Sequence, residues 1–460
     1  MWSLNDISSA TEGMARYDSS LKKFNDVVID SRKAKPGSIF VAVVGKKCDG
    51  HDYLEEAVKN GAGCLVVHKP SMNYLEHADV VLVEDTTKAL GDMARYHRRR
   101  KHLIVLAVTG SNGKTTTKDM LASILENASL DKESLRGKVL KTNKNQNNLI
   151  GVSLNLLRAR DEKVAVLELG TSAPGEIARL TQITEPDFGI ITSVGPAHLE
   201  GLRNMCGVLW EKTDLFLGLK PAGMAVVNWD DFHVRFSSAK LSGRKFMTYG
   251  HTGHMAYKNF RSLGVSGSQF DLCADGEKIG IHLKLLGEHN VRNATGAAVM
   301  AYAFGAGLEA IRKGLEDIEP VPMRMAPEFR SGIYFVNDAY NANPASMTAA
   351  FVTFAESADR ARKIAVLGDM LELGEKSAVY HEEVGKKAVR CGMDRLYLLG
   401  EHAEDVKKGA LLAEFDENKI FVAKDMVGLA EKIVEEVKEG DWVLLKGSRA
   451  TGMERVLKYF

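Results

Sequence analysis

Short apolar runs alternate with longer stretches of helical spacing along nearly the whole chain. The runs are SIFVAVVG (38–45), GCLVVHK (63–69), LIVLAVTG (103–110), VAVLELG (164–170), FGIITSVG (188–195), KIAVLGDM (363–370), RLYLLG (395–400) and DWVLLKG (441–447). Between them lie segments such as TTKALGDMARYHRRR and KTTTKDMLASILENA, whose apolar residues recur with a helical period. Strands joined by helical crossovers make an α/β architecture with largely parallel sheets. The stretch 245–286 differs: it is rich in Gly, Ser and alternating apolar residues, which predicts antiparallel strands or hairpins inserted in the middle of the chain.

A chain of 460 residues is too long for one hydrophobic core. One boundary is expected near Asp85, before the helix that leads into the run at 103. Another is expected at Pro320–Pro322, where EPVPMRMAP interrupts the pattern. The expected domains are 1–84, 85–319 and 320–460. A net charge of +1 gives no general attraction to nucleic acid or anionic membrane, so any anion must be held locally. Cys48, Cys64, Cys206, Cys273 and Cys391 are dispersed and form no CxxC pair, which points away from a disulfide framework and toward a reducing compartment. The opening MWSLNDISSATEG lacks the pattern of a signal peptide, and no window reaches the length of a membrane span. A soluble, cytoplasmic protein is expected.

Local anion binding has an obvious seat in Thr109-Gly110-Ser111-Asn112-Gly113-Lys114-Thr115-Thr116, where a buried strand meets a helix. Successive backbone N–H groups there can cradle phosphate oxygens, and the helix N-terminus adds positive potential. Lys114 can reach the β- and γ-phosphates, and the Thr115 hydroxyl can ligate Mg²⁺. The general pattern GxxxxGK[ST] is not met, because Val108 stands where the first Gly belongs; TGxxGKT remains. The next apolar run ends in Glu168, a carboxylate at the C-terminal edge of the same expected sheet and a second candidate for Mg²⁺. The following run ends in SVGPAHLE, which brings His198 to that edge. Lys212, in WEKTDLF, has no chemistry on residue physics alone; a surface lysine is the plain reading.

Taken in order, TGSNGKTTTK, TNKNQNNLIGVSLNLL, ELGTSAPGEI, SVGPAHLEGL, EKTDLF, NWDD and GEHNVRNATGAA resemble the Mur ligases over essentially the whole chain. The resemblance implies a central P-loop ATPase domain flanked by an N-terminal UDP-substrate domain and a C-terminal Rossmann-like domain. It implies ATP and two Mg²⁺ sites, with Thr115 and Glu168 on one ion and His198 on the other. Lys212 matches a lysine that the family carbamoylates, which would turn a cation into an anionic ligand. Asn290 and Asn293 resemble residues on the adenine side of ATP. Arg324 and Asp338 resemble residues that complete the nucleotide site from the last domain.

The segment 27–63, with its DSR…GxxF…DGHD pattern, is similar to the domain that holds the UDP-sugar end of the substrate in two members of the family. Asp30, Ser31, Arg32, Asp49 and His51 are the candidates there, against a plain reading as turn chemistry. The last domain carries NDAYNANPASM (337–347), LGDMLELG (367–374) and LLKGSR (444–449), which resemble the members that join D-alanyl-D-alanine to a UDP-N-acetylmuramoyl-tripeptide. Asn341, Asn343 and Ser346 are the implied contacts to that amine. The DNPR-type motif of the members that add a diamino acid is absent. Where the family usually has Gly before the residue matched by Arg324, this chain has Met323.

Three rival readings remain. Another Mur-type or folylpolyglutamate-type acid–amine ligase would share the TGxxGKT loop and differ at NDAYNANPASM. A nucleotide switch of the GTPase type would need NKxD, and the NKNQ at 143–146 replaces its Asp and falls too soon after the loop. Nucleic-acid binding through the basic cluster Arg95–His102 competes with a solvated, dipole-complementing helix end, which is the expectation. The family implies a monomer.

Overall fold

The computed structural model describes residues 1–16, 22–45, 48–69 and 78–460. Lys46 and Lys47, inside the segment that resembles a UDP-sugar domain, lie outside the described residues. Three main sheets follow one another along the chain. The first runs Met14–Arg16, Asp79–Leu82, Ala62–Val67, Ser38–Val41, Val27–Val28, and is parallel except for its first pair. The second has nine strands in the order Glu277–Leu283, Ser268–Ala274, Met255–Ser262, Lys245–Gly250, Met224–Asn228, Phe188–Ile191, Ile104–Thr109, Val164–Glu168, Val139–Lys141. The third runs Ala326–Arg330, Ile333–Asp338, Trp442–Lys446, Lys363–Gly368, Arg395–Leu399, Ile420–Ala423, with only its first pair antiparallel. Every apolar run named above overlaps one of these strands.

The antiparallel hairpins expected in 245–286 run from Met255 to Leu283, but the stretch begins with a parallel strand and joins the main sheet. Lys245–Gly250 pairs in parallel with Met224–Asn228, and the hairpins from Met255 onward extend that same sheet. Alternating burial along Ser268–Ala274 lets one face pack inward, with Ser268, Phe270, Leu272 and Ala274 buried.

Ile104–Thr109 is the hinge of the topology. It lies between Val164–Glu168 on one side and Phe188–Ile191 on the other. The chain leaves it toward one edge and then returns to its opposite flank, so the strand order reverses there. Such a reversal opens a crevice beyond the carboxyl ends of the strands. The helix that follows, Lys114–Glu126, buries Met120, Leu121, Ile124 and Leu125 at helical spacing and so points its N-terminus at that crevice.

Asp85 caps the helix Thr86–Arg100 by accepting from the Thr87 and Lys88 N–H groups. The basic end of this helix is solvated only in part: Arg99 and Arg100 are exposed, but Arg98 is buried. Arg95, Arg98 and Arg99 converge on Glu185, and Arg98, only 5% exposed, also pairs with Asp187 at 3.1 Å. The cations clamp this helix to the start of the Phe188–Ile191 strand and are committed to that task.

Candidate active site

The phosphate-loop segment sits in the crevice and is stitched to the loop that follows Phe188–Ile191. Ser111 N donates to Ser193 O at 2.8 Å, Asn112 N to Ser193 Oγ at 3.1 Å, and Ser111 Oγ to Gly195 O at 2.9 Å. Two glycines are required by the path. Gly110 has φ +148, and a Cβ there would stand 1.9 Å from Thr192 Oγ1; Gly113 has φ +80, and a Cβ there would meet Asn293 Oδ1 at 2.3 Å. Lys114 Nζ donates to Gly110 O at 2.7 Å, across its own loop. Burial, with Arg324 nearby, pushes the Lys114 ammonium below the ordinary lysine range, and Glu168 opposes this.

Glu168 ends its strand at 2% exposure and is held on both oxygens. Thr115 Oγ1 donates to Oε2 and Asn147 Nδ2 to Oε1, each at 2.8 Å. Arg324 Nη2 donates to the same Thr115 hydroxyl at 2.9 Å, from the loop that enters the third sheet. The Arg324 guanidinium stands 4.0 Å over the Tyr340 ring, which restricts where it can swing. Met323, just before it, has φ +61. The backbone thus takes the left-handed turn that glycine would adopt freely, and a methionine bears the strain. Asp338 accepts from Met325 N at 3.1 Å and from Lys446 Nζ, itself 1% exposed.

Two cavities meet on this cluster. One, of about 110 Å³, is lined by Asn290, Asn293, His289, Asp338, Lys446 and Thr116. The other, of about 510 Å³, is lined by Lys114, Glu168, His198, Asn147, Thr171 and Asn341. Asn112, Gly113, Arg324 and Ser346 form walls of both. Burial pushes the His289 imidazole down to about 4, so it lines the smaller cavity uncharged at neutral pH.

His198, at φ +55, faces the third sheet: its Nδ1 lies 2.5 Å from Glu372 Oε2, and Leu199 N donates to Glu372 O at 2.9 Å. Hydrogen bonding to His198 holds the Glu372 carboxyl below its ordinary range. Lys212 is no surface lysine. It is 1% exposed, and burial together with the Lys114 charge pushes it down to about 7.

Asn343 and Ser346 are engaged structurally. Asn343 caps the helix Pro344–Ala358 in a reciprocal capping box with Ser346, and exchanges two hydrogen bonds with Asn112, at 2.8 and 3.2 Å. That amide pair ties the third sheet to the phosphate loop. Only Asn341 of the three lines the larger cavity without such a commitment of its side chain. In the first sheet, Asp30 caps a turn and pairs with Arg32 at 2.8 Å, while Ser31 Oγ donates to Glu56. Asp49 caps the next turn and meets His51 Nδ1 at 2.6 Å and Lys69 Nζ at 2.7 Å. The structure gives these five residues turn chemistry and brings none of them into the two cavities.

The donors near the phosphate loop suit a hard divalent cation. Thr115 and Glu168 offer a hydroxyl and a carboxylate 2.8 Å apart at the strand ends. Among the described residues no cluster of three His, Cys, Asp or Glu is formed. One or two protein oxygens with phosphates and water completing the shell is the pattern of Mg²⁺ rather than of a dedicated protein cage.

Residues 108–301 match the model of the Mur ligase middle domain, 323–449 the Mur ligase glutamate ligase domain, and 23–98 the Mur ligase family catalytic domain. The UDP-N-acetylmuramoyl-tripeptide–D-alanyl-D-alanine ligase of Escherichia coli is 34% identical over 94% of this chain and 92% of its own. The chain belongs to the Mur ligase family. The ligase of the same name from Haemophilus influenzae is 36% identical over 93% of this chain and 92% of its own. The crystal structure of MurF from Acinetobacter baumannii superposes with a TM-score of 0.91 at 30% identity, covering 99% of this Mur ligase and 98% of that chain. MurF from Thermotoga maritima, solved in complex with ADP, gives 0.84 at 29% identity over 95% and 97%.

Sequence reasoning missed several residues of this Mur ligase's site. Glu211, 4% exposed, accepts from Gly175 N and Ile177 N, each at 2.7 Å, and from Thr171 Oγ1, fixing the loop after Glu168. Asn147, Tyr340, Glu372 and Lys446 were likewise not singled out. Lys446 had a signal, as a lysine ending an otherwise apolar strand. Glu211 had none beyond its place before Lys212.

Proposed function

We propose that the protein joins D-alanyl-D-alanine to UDP-N-acetylmuramoyl-tripeptide at the expense of ATP, releasing ADP and phosphate. The observation that carries the chemistry is the single cluster of Lys114, Thr115, Glu168 and Arg324, built from two sheets on one phosphate loop. The substrate assignment rests on relatives that bear this activity in their names over more than nine-tenths of the chain.

In this reading the tripeptide's terminal carboxylate attacks the γ-phosphorus of ATP, ADP leaves, and an acyl phosphate forms. The neutral amine of D-alanyl-D-alanine then attacks the acyl carbon, loses a proton, and expels phosphate. Two anions must first approach each other; Lys114 and Arg324 offset that repulsion and stabilise the transferring group. Asn290, Asn293 and Asp338 line the nucleotide's base and sugar side. Thr115 and Glu168 would hold one Mg²⁺, and His198 with carbamoylated Lys212 a second; bound there, the ions would neutralise phosphate charge. An amine pushed down to about 7 is in good part neutral near neutral pH, and the neutral form is the one that adds CO₂. Asn341 faces the amine, and the first domain, through Asp30 to His51, takes the UDP end.

A single chain as the working unit is part of this proposal. Domain limits at 84/85 and 319/320 belong to the same proposal. No helix among the described residues is long and apolar enough to cross a membrane, and the substrates place the reaction in the cytoplasm.

Mass analysis of products from UDP-N-acetylmuramoyl-tripeptide, ATP and a panel of D-alanyl-D-alanine, D-glutamate, L-lysine and diaminopimelate tests the substrate assignment. A product carrying the dipeptide alone is expected. A product carrying one of the single amino acids would keep the ligase chemistry and overturn the amine.

A further inference from the structure

The end of the helix Met205–Leu217 and the segment after it carry an unusual surface. Trp210 is 51% exposed, Phe232 65% and Phe236 56%. Phe232 and Phe236 stack with their centroids 6.4 Å apart, and Lys240 Nζ lies 5.2 Å from the Trp210 ring centre. Trp210, Phe236 and Lys240 share the rim of a shallow cavity of about 250 Å³ with Leu209. Exposed aromatic rings of this size are costly in water unless something covers them.

The charge around them is mainly positive, with Asp214, one helical turn from Trp210, the exception. From Phe232 to Gly250 there is no Asp or Glu, while Arg235, Lys240, Arg244 and Lys245 all fall in that span. Arg235, Lys240 and Lys245 are exposed, and none of the four makes an ion pair to a carboxylate among the described residues. The nearest carboxylates in sequence are turned away: Asp231 accepts from Val194 N, His233 N and Val234 N, and Asp230 pairs with His251. Aromatic rings flanked by cations on long apolar stems match a lipid–water interface, where rings enter the boundary and cations meet anionic headgroups.

We propose that this face, centred on Trp210, Phe232, Phe236, Arg235 and Lys240, binds peripherally to the surface of a membrane rich in anionic lipid. The phosphate loop and its partners take no part in it. The occupant is a lipid surface rather than a second copy of the chain because four cations face one carboxylate, Asp214, one helical turn from Trp210, and two such faces brought together would repel.

The test is sedimentation of the intact protein with vesicles of phosphatidylcholine alone and of phosphatidylcholine with phosphatidylglycerol. Binding to the second only, weakened by salt, is expected. Arg235→Ala with Lys240→Ala lowers the partition about thirtyfold. Phe232→Ser with Phe236→Ser lowers it about tenfold. Both pairs keep ATP-dependent turnover without vesicles, which shows the fold intact. Equal binding to both vesicles, no binding to either, or self-association abolished by the Phe pair would each overturn the proposal, the last by making this a protein interface.

Discussion

Arg324 and Thr115 are 209 residues apart, and the guanidinium of one donates to the hydroxyl of the other at 2.9 Å. The same hydroxyl donates to Glu168, so one oxygen joins the phosphate loop, the strand-end carboxylate and the third sheet. Contact between the sheets and completion of the nucleotide site are thus one event. Replacing Arg324 by Lys keeps the charge but loses the planar fork and the stacking on Tyr340. Turnover is expected to fall by roughly 10²–10³, less than the ~10³–10⁵ of a wholly lost arginine because lysine keeps the charge. Steady-state kinetics check it, and near-normal turnover would show that the fork is not used.

Lys212 is pushed down to about 7 by burial and by Lys114, against 10.5 for an ordinary lysine. Below that pH the ammonium has no free electron pair; above it the amine can add CO₂. Enzyme stripped of CO₂ should therefore regain activity at a rate that rises with pH, is half-maximal near 7, and levels off above, at fixed dissolved CO₂. A rate still climbing through the alkaline range would indicate an unperturbed lysine. Lys212→Ala should be inactive and partly restored by short-chain carboxylates; full activity without them would remove Lys212 from the site.

Met323 holds a left-handed conformation at φ +61. The cost to a side chain there is about 1–2 kcal/mol. Glycine removes it and adds about 0.5–1 kcal/mol of unfolded-chain freedom. Met323→Gly should thus raise the thermal midpoint slightly and keep activity. A clear drop in the midpoint would mean that packing of the methionine outweighs its strain.

His198 and Glu372 separate two roles. If His198 serves the reacting groups while Glu372 only steadies the ring, His198→Ala should cost at least about a hundredfold in kcat. Glu372→Gln should stay within severalfold, since the carboxylate is 54% exposed and solvent screens the pair. Because Glu372 is held low by His198, its contribution is present when ionised and fades as pH falls through its lowered value. Equal losses in the two variants would assign the histidine a purely structural part.

The strands were legible because each is a short apolar run between helical stretches, and the phosphate loop because its chemistry is contiguous. The partners of that loop were legible only in part. Glu168 ends a strand, and strand ends can be found from pattern, whereas Glu211 and Glu372 act through contacts between segments far apart in sequence. Periodicity carries no information about such contacts. The burial of Lys212 was equally hidden, since its helix Met205–Leu217 is apolar on more than one side and leaves its inward face ambiguous. The ion pairs of the basic cluster were hidden for the same reason: Glu185 and Asp187, partners of Arg95, Arg98 and Arg99, come some ninety residues later, and Asp6, partner of Arg100, some ninety earlier.

The central claim is that one site couples ATP cleavage to joining the tripeptide and the dipeptide. Phosphate release from ATP with Mg²⁺ measures it, in the presence of UDP-N-acetylmuramoyl-tripeptide, D-alanyl-D-alanine, both, or neither, for the native protein and for Lys114→Ala. Release that requires both substrates and is abolished by Lys114→Ala is the expected result. Release that ignores either substrate, or that survives in Lys114→Ala, would contradict the account.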